Sequence, residues 1–79
     1  MVIGCSDSRV DPVSIFETKP GKLFVVRNVS NLVPPYSQHG DLGGTSAALE
    51  YAVTVLGVEH ILVMGHSQCG GVAAFIDDL

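Results

Sequence analysis

The stretch Ile61-Leu62-Val63-Met64-Gly65-His66-Ser67-Gln68-Cys69-Gly70-Gly71 decides the fold. Its first four residues form an apolar run too short for a helix and suited to a strand covered on both faces. Gly65 and His66 end that run, and Gln68 to Asp78 reads as a helix that begins almost at once. A strand passing directly into a helix is half of a parallel crossover unit. The other end of the chain has the same grammar. Met1 to Gly4 is an apolar run closing on Cys5, and Asp11-Pro12 then opens a short helix to about Glu17, with Asp11 in a capping role only.

Between these ends, Lys19-Pro20-Gly21-Lys22 is turn chemistry, and Leu23 to Val26 is a second strand closed by Arg27-Asn28. Val29 to Asp41 holds Pro34-Pro35 and Gly40 and reads as a long loop, a type that tends to carry function. Thr45 or Ser46 caps a helix running to Leu56, with Gly57 as its stop. Leu49, Ala52, Val53 and Leu56 form its apolar stripe, and Ala47, Ala48, Tyr51 and Val55 extend apolar character to other faces. Such a helix is expected to be buried nearly all round. Three unbroken apolar strands alternating with helices predict an α/β fold, a parallel sheet with helices on both faces. Strand order 2-1-3 would place the ends of the first and third strands, Cys5 and His66, at the topological switch point where such proteins bind ligands.

Length and composition bound the answer. Seventy-nine residues allow one small domain, yet the apolar fraction of 47% is high for its size. Some of that surface is therefore expected to meet another subunit or further parts of a larger domain. A net charge of −4 with only four lysines and arginines argues against nucleic acid or an anionic membrane as partner. No apolar run approaches the roughly 18 residues of a membrane span. The N-terminus lacks the pattern of an export signal, so a cytoplasmic setting is expected. In that setting, two cysteines suit metal binding better than a disulfide.

Cys5, His66 and Cys69 suit one zinc ion. His66 and Cys69 lie three apart across a strand-to-helix turn, Gly70 and Gly71 remove bulk beside them, and the helix N-terminus favours a thiolate at Cys69. Three protein ligands leave a tetrahedral ion one position open, the mark of a catalytic site. Asp7 and Arg9, two apart in a segment expected to be extended, would point the same way and pair, keeping Asp7 ionised. Asp7 would then accept a hydrogen bond from the reacting water, or alternatively fill the open position itself. The plainer readings are that Asp7 caps a turn, Arg9 is a surface charge, Phe24 and Tyr51 are core residues, and His39 and His60 are solvent-exposed.

Together these motifs resemble the β-class carbonic anhydrases, and specifically their plant-type branch. Cys5-Ser6-Asp7-Ser8-Arg9 is similar to that family's first signature, and His66-x-x-Cys69-Gly70-Gly71 to its second. Phe24 to Asn31, Leu32-Val33-Pro34-Pro35-Tyr36 and Thr45 to Val58 resemble the segments between. The resemblance implies one zinc per chain on Cys5, His66 and Cys69, Asp7 and Arg9 as catalytic pair, and reversible hydration of carbon dioxide to bicarbonate and a proton. It also implies a small apolar substrate pocket lined by Phe24, Val29 and Tyr51, with Tyr51 supplied by a neighbouring subunit of a homodimer or higher homo-oligomer. The Gly70 N–H would lie beside substrate. The family's N-terminal arm and C-terminal strands have no counterpart in the 79 residues, so the expectation is a truncated, single catalytic core. Competing readings are a hydrolase of carbon disulfide or carbonyl sulfide, a non-catalytic zinc module with Asp7 on the metal, and, ranked lowest because no Cys-x-x-Cys is present, a redox dithiol.

Overall fold

The structure is a computed structural model that describes residues 1–35 and 44–77. The expectations for His39, for the loop up to Asp41 and for Asp78 lie outside the described residues. Strands β1 (Val2–Cys5), β2 (Val25–Asn28) and β3 (Leu62–Met64) alternate with helices α1 (Pro12–Phe16), α2 (Gly44–Tyr51) and α3 (Gly70–Asp77). The three strands form one parallel sheet in the order β2-β1-β3, as the apolar runs predict. The chain steps from β1 to β2 in one direction and back across β1 to β3 in the other. Right-handed crossovers therefore send their helices to opposite faces.

Burial follows position in the sheet. All four residues of the central strand β1 are buried, Ile3 most completely; Val10, Pro12 and Ala52 are buried as well, and Pro12 lies beside Gly4. β2 extends further than its apolar run suggests: Gly4 pairs with Arg27 and Cys5 with Asn28, so both polar residues belong to the strand. A parallel ladder needs only backbone groups, and the central strand continues far enough to recruit them. Leu62 and Val63 of β3 are about half exposed, at 45% and 49%, contrary to the covering expected on both faces. β3 pairs only with β1 among the described residues, and as an edge strand it has fewer neighbours to cover it.

The helices depart from expectation in a similar way. α2 begins at Gly44, so Thr45 and Ser46 sit inside its first turn rather than capping it. Thr45 Oγ1 instead accepts from Asn28 Nδ2 at 3.0 Å, and Ser46 is buried. Beyond Tyr51 the helix widens into a π turn, Ala52–Leu56, and stops at Gly57 in the left-handed region (φ 63°), as its glycine predicts. Ala52 is fully buried, but Tyr51, Val53, Val55 and Leu56 are exposed. The all-round burial expected of this helix is thus absent from the single chain, because only one of its faces meets the sheet. Phe75 and Ile76 of α3 are exposed too. Asp11 does stand at the N-cap of α1, but its side chain makes no capping bond to the helix backbone, contrary to the role expected of it. Its carboxylate accepts from Ser14 Oγ at 2.9 Å and lies 3.6 Å from Arg27 Nη1.

Candidate metal centre

The carboxyl edge of the sheet gathers the chemistry. Cys5 is the last residue of β1, His66 follows β3 by two residues, and Cys69 immediately precedes α3, where its carbonyl accepts from Ala73 N at 3.0 Å. Gln68 takes a left-handed conformation (φ 55°) that turns the chain sharply between the two ligand-type residues. One ligand atom from each of Cys5, His66 and Cys69 lies within 4.8 Å of the others. The two sulfurs are 3.8 Å apart and both cysteines are free. Two zinc–sulfur bonds of about 2.3 Å spread at the tetrahedral angle would set sulfurs about 3.8 Å apart, whereas a disulfide needs about 2.05 Å.

The imidazole fits the same ion. His66 Nδ1 is 2.8 Å from the Ser67 carbonyl, which fixes the proton on Nδ1 and leaves the lone pair on Nε2. Nε2 is buried without a hydrogen-bond partner of acceptable geometry, an orphan of the kind a metal satisfies. Cys5 is predisposed to the thiolate: its thiol is lowered from 9.0 to about 6, first by the Asp7 backbone N–H, then by that of Ser30, then by the nearby His66 ring. The thiol in turn raises the His66 imidazole. The donor set of two soft thiols and one imidazole is therefore matched to zinc.

Asp7 and Arg9 pair as expected, though by a different local route. Ser8–Val10 is a 3₁₀ turn rather than an extended segment, and Asp7 is its N-cap. Asp7 Oδ1 accepts from the Arg9 backbone N–H at 2.8 Å and from Arg9 Nε at 2.9 Å, while Oδ2 accepts from Nη2 at 2.7 Å. Capping and pairing are one arrangement here, so the two readings of Asp7 do not compete. The Arg9 side chain, then its backbone N–H, holds the Asp7 carboxyl well below the usual carboxylate range.

Other expected site residues divide. Val29 lies at the same edge, against the start of α3, and Gly70 opens that helix. A Cβ at Gly71 would fall far inside contact with Ser30 Oγ and Val29 Cγ1, so that glycine is required by close packing. Gly70 has open space around it, contrary to the expectation that both glycines clear bulk. Phe24 and Tyr51 contact each other, with ring centroids 5.9 Å apart. Phe24 precedes Asn28, the partner of Cys5, by four residues, about 13 Å along a strand. The chain's own fold thus leaves this aromatic pair away from its own cysteine–histidine cluster. His60 is exposed, as expected.

Two further residues at this edge, both inside the Phe24 to Asn31 segment of the family resemblance, were given no role from the sequence. Ser30 is 2% exposed in a left-handed turn (φ 78°) whose N–H serves the Cys5 thiol. Arg27 donates to the Cys5 and Asp7 carbonyls. A charged residue closing an apolar strand opposite Gly4-Cys5 was the available signal for Arg27. For Ser30 the signal was its place in that segment alone.

A parallel α/β sheet with two thiols and an imidazole gathered at its switch point, beside a carboxylate–guanidinium pair, defines a class of α/β proteins with one candidate metal centre at the sheet edge. Within that class, the carbonic anhydrase family model matches residues 1–79, and the chain belongs to that family. It is 57% identical over 76 residues to the mitochondrial beta carbonic anhydrase 6 of Arabidopsis thaliana, covering 96% of this chain and 26% of the relative. The solved beta-carbonic anhydrase CcaA superposes with a TM-score of 0.85 at 46% identity, over 96% of this chain and 36% of that one. A tetrameric beta-carbonic anhydrase from Sordaria macrospora matches with a TM-score of 0.80 at 45% identity, over 95% and 36%. The chain thus spans about a quarter to a third of the length of these relatives. No described helix is long and apolar enough to cross a membrane.

Proposed function

We propose that the protein catalyses the reversible hydration of carbon dioxide to bicarbonate and a proton at one zinc ion held by Cys5, His66 and Cys69. The observation that carries this reading is the convergence of two sulfurs 3.8 Å apart and an orphaned imidazole nitrogen in a carbonic anhydrase chain. Zinc bound there supplies Lewis-acid activation of water for attack on an electrophilic carbon.

The chain's own residues do the rest. Cys5 and Cys69 would hold the ion as thiolates, and the Ser67 carbonyl keeps His66 in the tautomer whose Nε2 lone pair is free to join them. Asp7, ionised and fixed by three bonds from Arg9, accepts a hydrogen bond from the reacting water and orients its lone pair toward carbon dioxide. Arg9 fixes the orientation of both Asp7 oxygens, and Oδ2, with one donor, keeps acceptor capacity for that water. Val29 contributes an apolar wall and the Gly70 N–H a donor beside substrate.

Phe24 and Tyr51 complete the apolar pocket of a neighbouring subunit's centre, since both are remote from their own. The exposed apolar surface of α2 and its π turn supports that homo-oligomeric arrangement, and one similar protein is tetrameric. The expected cytoplasmic setting stands as a proposal beside an organellar one. The mitochondrial name of the Arabidopsis relative makes an organelle the competing compartment, and cell fractionation separates the two.

Metal analysis and carbon dioxide hydration by the assembled protein test the reading. One zinc per chain is expected. Asp7→Asn should keep the zinc and lose roughly 10²–10⁴-fold in hydration rate. Zinc-loaded, assembled wild-type protein that does not hydrate carbon dioxide sinks the proposal.

A further inference from the structure

Arg27 lies one strand away from the segment that carries Cys5 and Asp7, yet its guanidinium meets three acceptors on it. Nε donates to the Cys5 carbonyl at 3.0 Å, Nη2 donates to the Asp7 carbonyl at 2.6 Å, and Nη1 lies 3.6 Å from the Asp11 carboxylate. The ladder between β1 and β2 ends at Cys5 and Asn28, with one more bond from Ser6 N to the Asn28 carbonyl at 2.7 Å. Beyond that point the chain leaves the sheet, and the backbone that presents Asp7 has no strand to hold it.

We propose that Arg27 is a positioning residue that sets the Asp7 carboxylate relative to the Cys5 sulfur. The Cys5 carbonyl belongs to the peptide unit that leaves the proposed ligand, and the Asp7 carbonyl to the unit that leaves the proposed acceptor. One rigid planar fork gripping both fixes the two peptide planes with respect to each other. The Cys5 sulfur and the Asp7 carboxylate hang from these planes. The Asp11 carboxylate at the start of α1, 3.6 Å from Nη1, adds an attractive charge on the third nitrogen. Arg27 is not one of the three clustered ligand-type residues, and it acts through the backbone that carries one of them. An ammonium is a single point of charge and cannot span both carbonyls in this geometry.

This inference rests on the zinc centre proposed above. The test compares wild type, Arg27→Met and Arg27→Lys as assembled protein. The readouts are zinc affinity by chelator competition, the visible spectrum after loading with cobalt(II), and the separate effects on kcat and KM. Both variants are expected to bind zinc roughly 10–100-fold more weakly, as changes to groups that orient metal ligands do. Their cobalt bands should be displaced, and kcat should fall with KM nearly unchanged. Lysine is not expected to rescue, which separates a fork from a simple charge. Folded variants with wild-type zinc affinity and cobalt spectrum would overturn the inference while leaving the zinc centre standing. If Arg27→Met fails to fold, Arg27→Lys decides alone by the same two readouts. Wild-type protein that binds no zinc would overturn both readings together.

Discussion

The two arms of the centre are built differently. Cys5 ends the central strand, where β1 is buried throughout, and the residues after it are held by polar contacts: three bonds between Asp7 and Arg9, and two carbonyls gripped by Arg27. His66 and Cys69 follow β3, which among the described residues pairs on one side only and whose Leu62 and Val63 are half exposed. That arm relies on one ring contact to Ser67, a left-handed Gln68 and the tight seat of Gly71 against Ser30 and Val29. A central strand has a neighbour on either side to supply donors, whereas an edge strand has one. The edge arm is therefore held by shape, and the central arm by hydrogen bonds.

The largest test of this contrast removes one sulfur from each arm. Cys5→Ser and Cys69→Ser should each weaken zinc binding by more than the roughly 10–100-fold typical of residues behind the ligands, and hydration should vanish with the metal. Chelator competition measures both. A Cys69→Ser protein with wild-type zinc affinity would show that the edge arm is not part of the centre.

A smaller effect sharpens the contrast on the edge arm. Gly71→Ala should destabilise the fold by about 1–3 kcal/mol, the usual cost of overpacking, because the new methyl group meets Ser30 and Val29. Gly70→Ala, with open space around it, should stay within about 0.5 kcal/mol of wild type. Urea unfolding compares them, and equal costs would refute the packing account.

The last test concerns the central arm without metal. Folding lowers the Cys5 thiol from 9.0 to about 6, so the folded state binds the proton less tightly than the unfolded chain. The resulting stabilisation is complete above pH 9, shrinks as pH falls toward about 6, and is gone below it. Ultraviolet titration of the thiolate in chelator-treated Cys69→Ser protein reads the midpoint directly. A midpoint near nine would remove the argument that backbone N–H groups activate Cys5.

Much of this was legible in the residues. The apolar runs ending at Cys5 and His66 foretold two of the strands and their adjacency, because a parallel sheet aligns strand ends along one edge. The Asp7–Arg9 pair was legible from spacing, though its 3₁₀ turn was not, since the same two side chains meet from either backbone. The extent of β2 was hidden because Arg27 and Asn28 look like a polar stop, and ladder pairing ignores side-chain polarity. The burial of α2 was overestimated for a related reason. Apolar composition records what a helix face can contact, and a single chain supplies contacts to only one face.

Residue identity alone determined the donor chemistry, namely two thiols, one imidazole and a carboxylate beside a guanidinium, together with the strand–helix alternation that brings them to one edge. Only the tertiary structure decided which outlying groups serve that edge. Arg27 and Ser30 reach it, and the Phe24–Tyr51 pair stands about 13 Å along the strand from it. The reason is geometric: local pattern governs which way a segment folds, but strand register and turn conformation decide which distant atoms it meets.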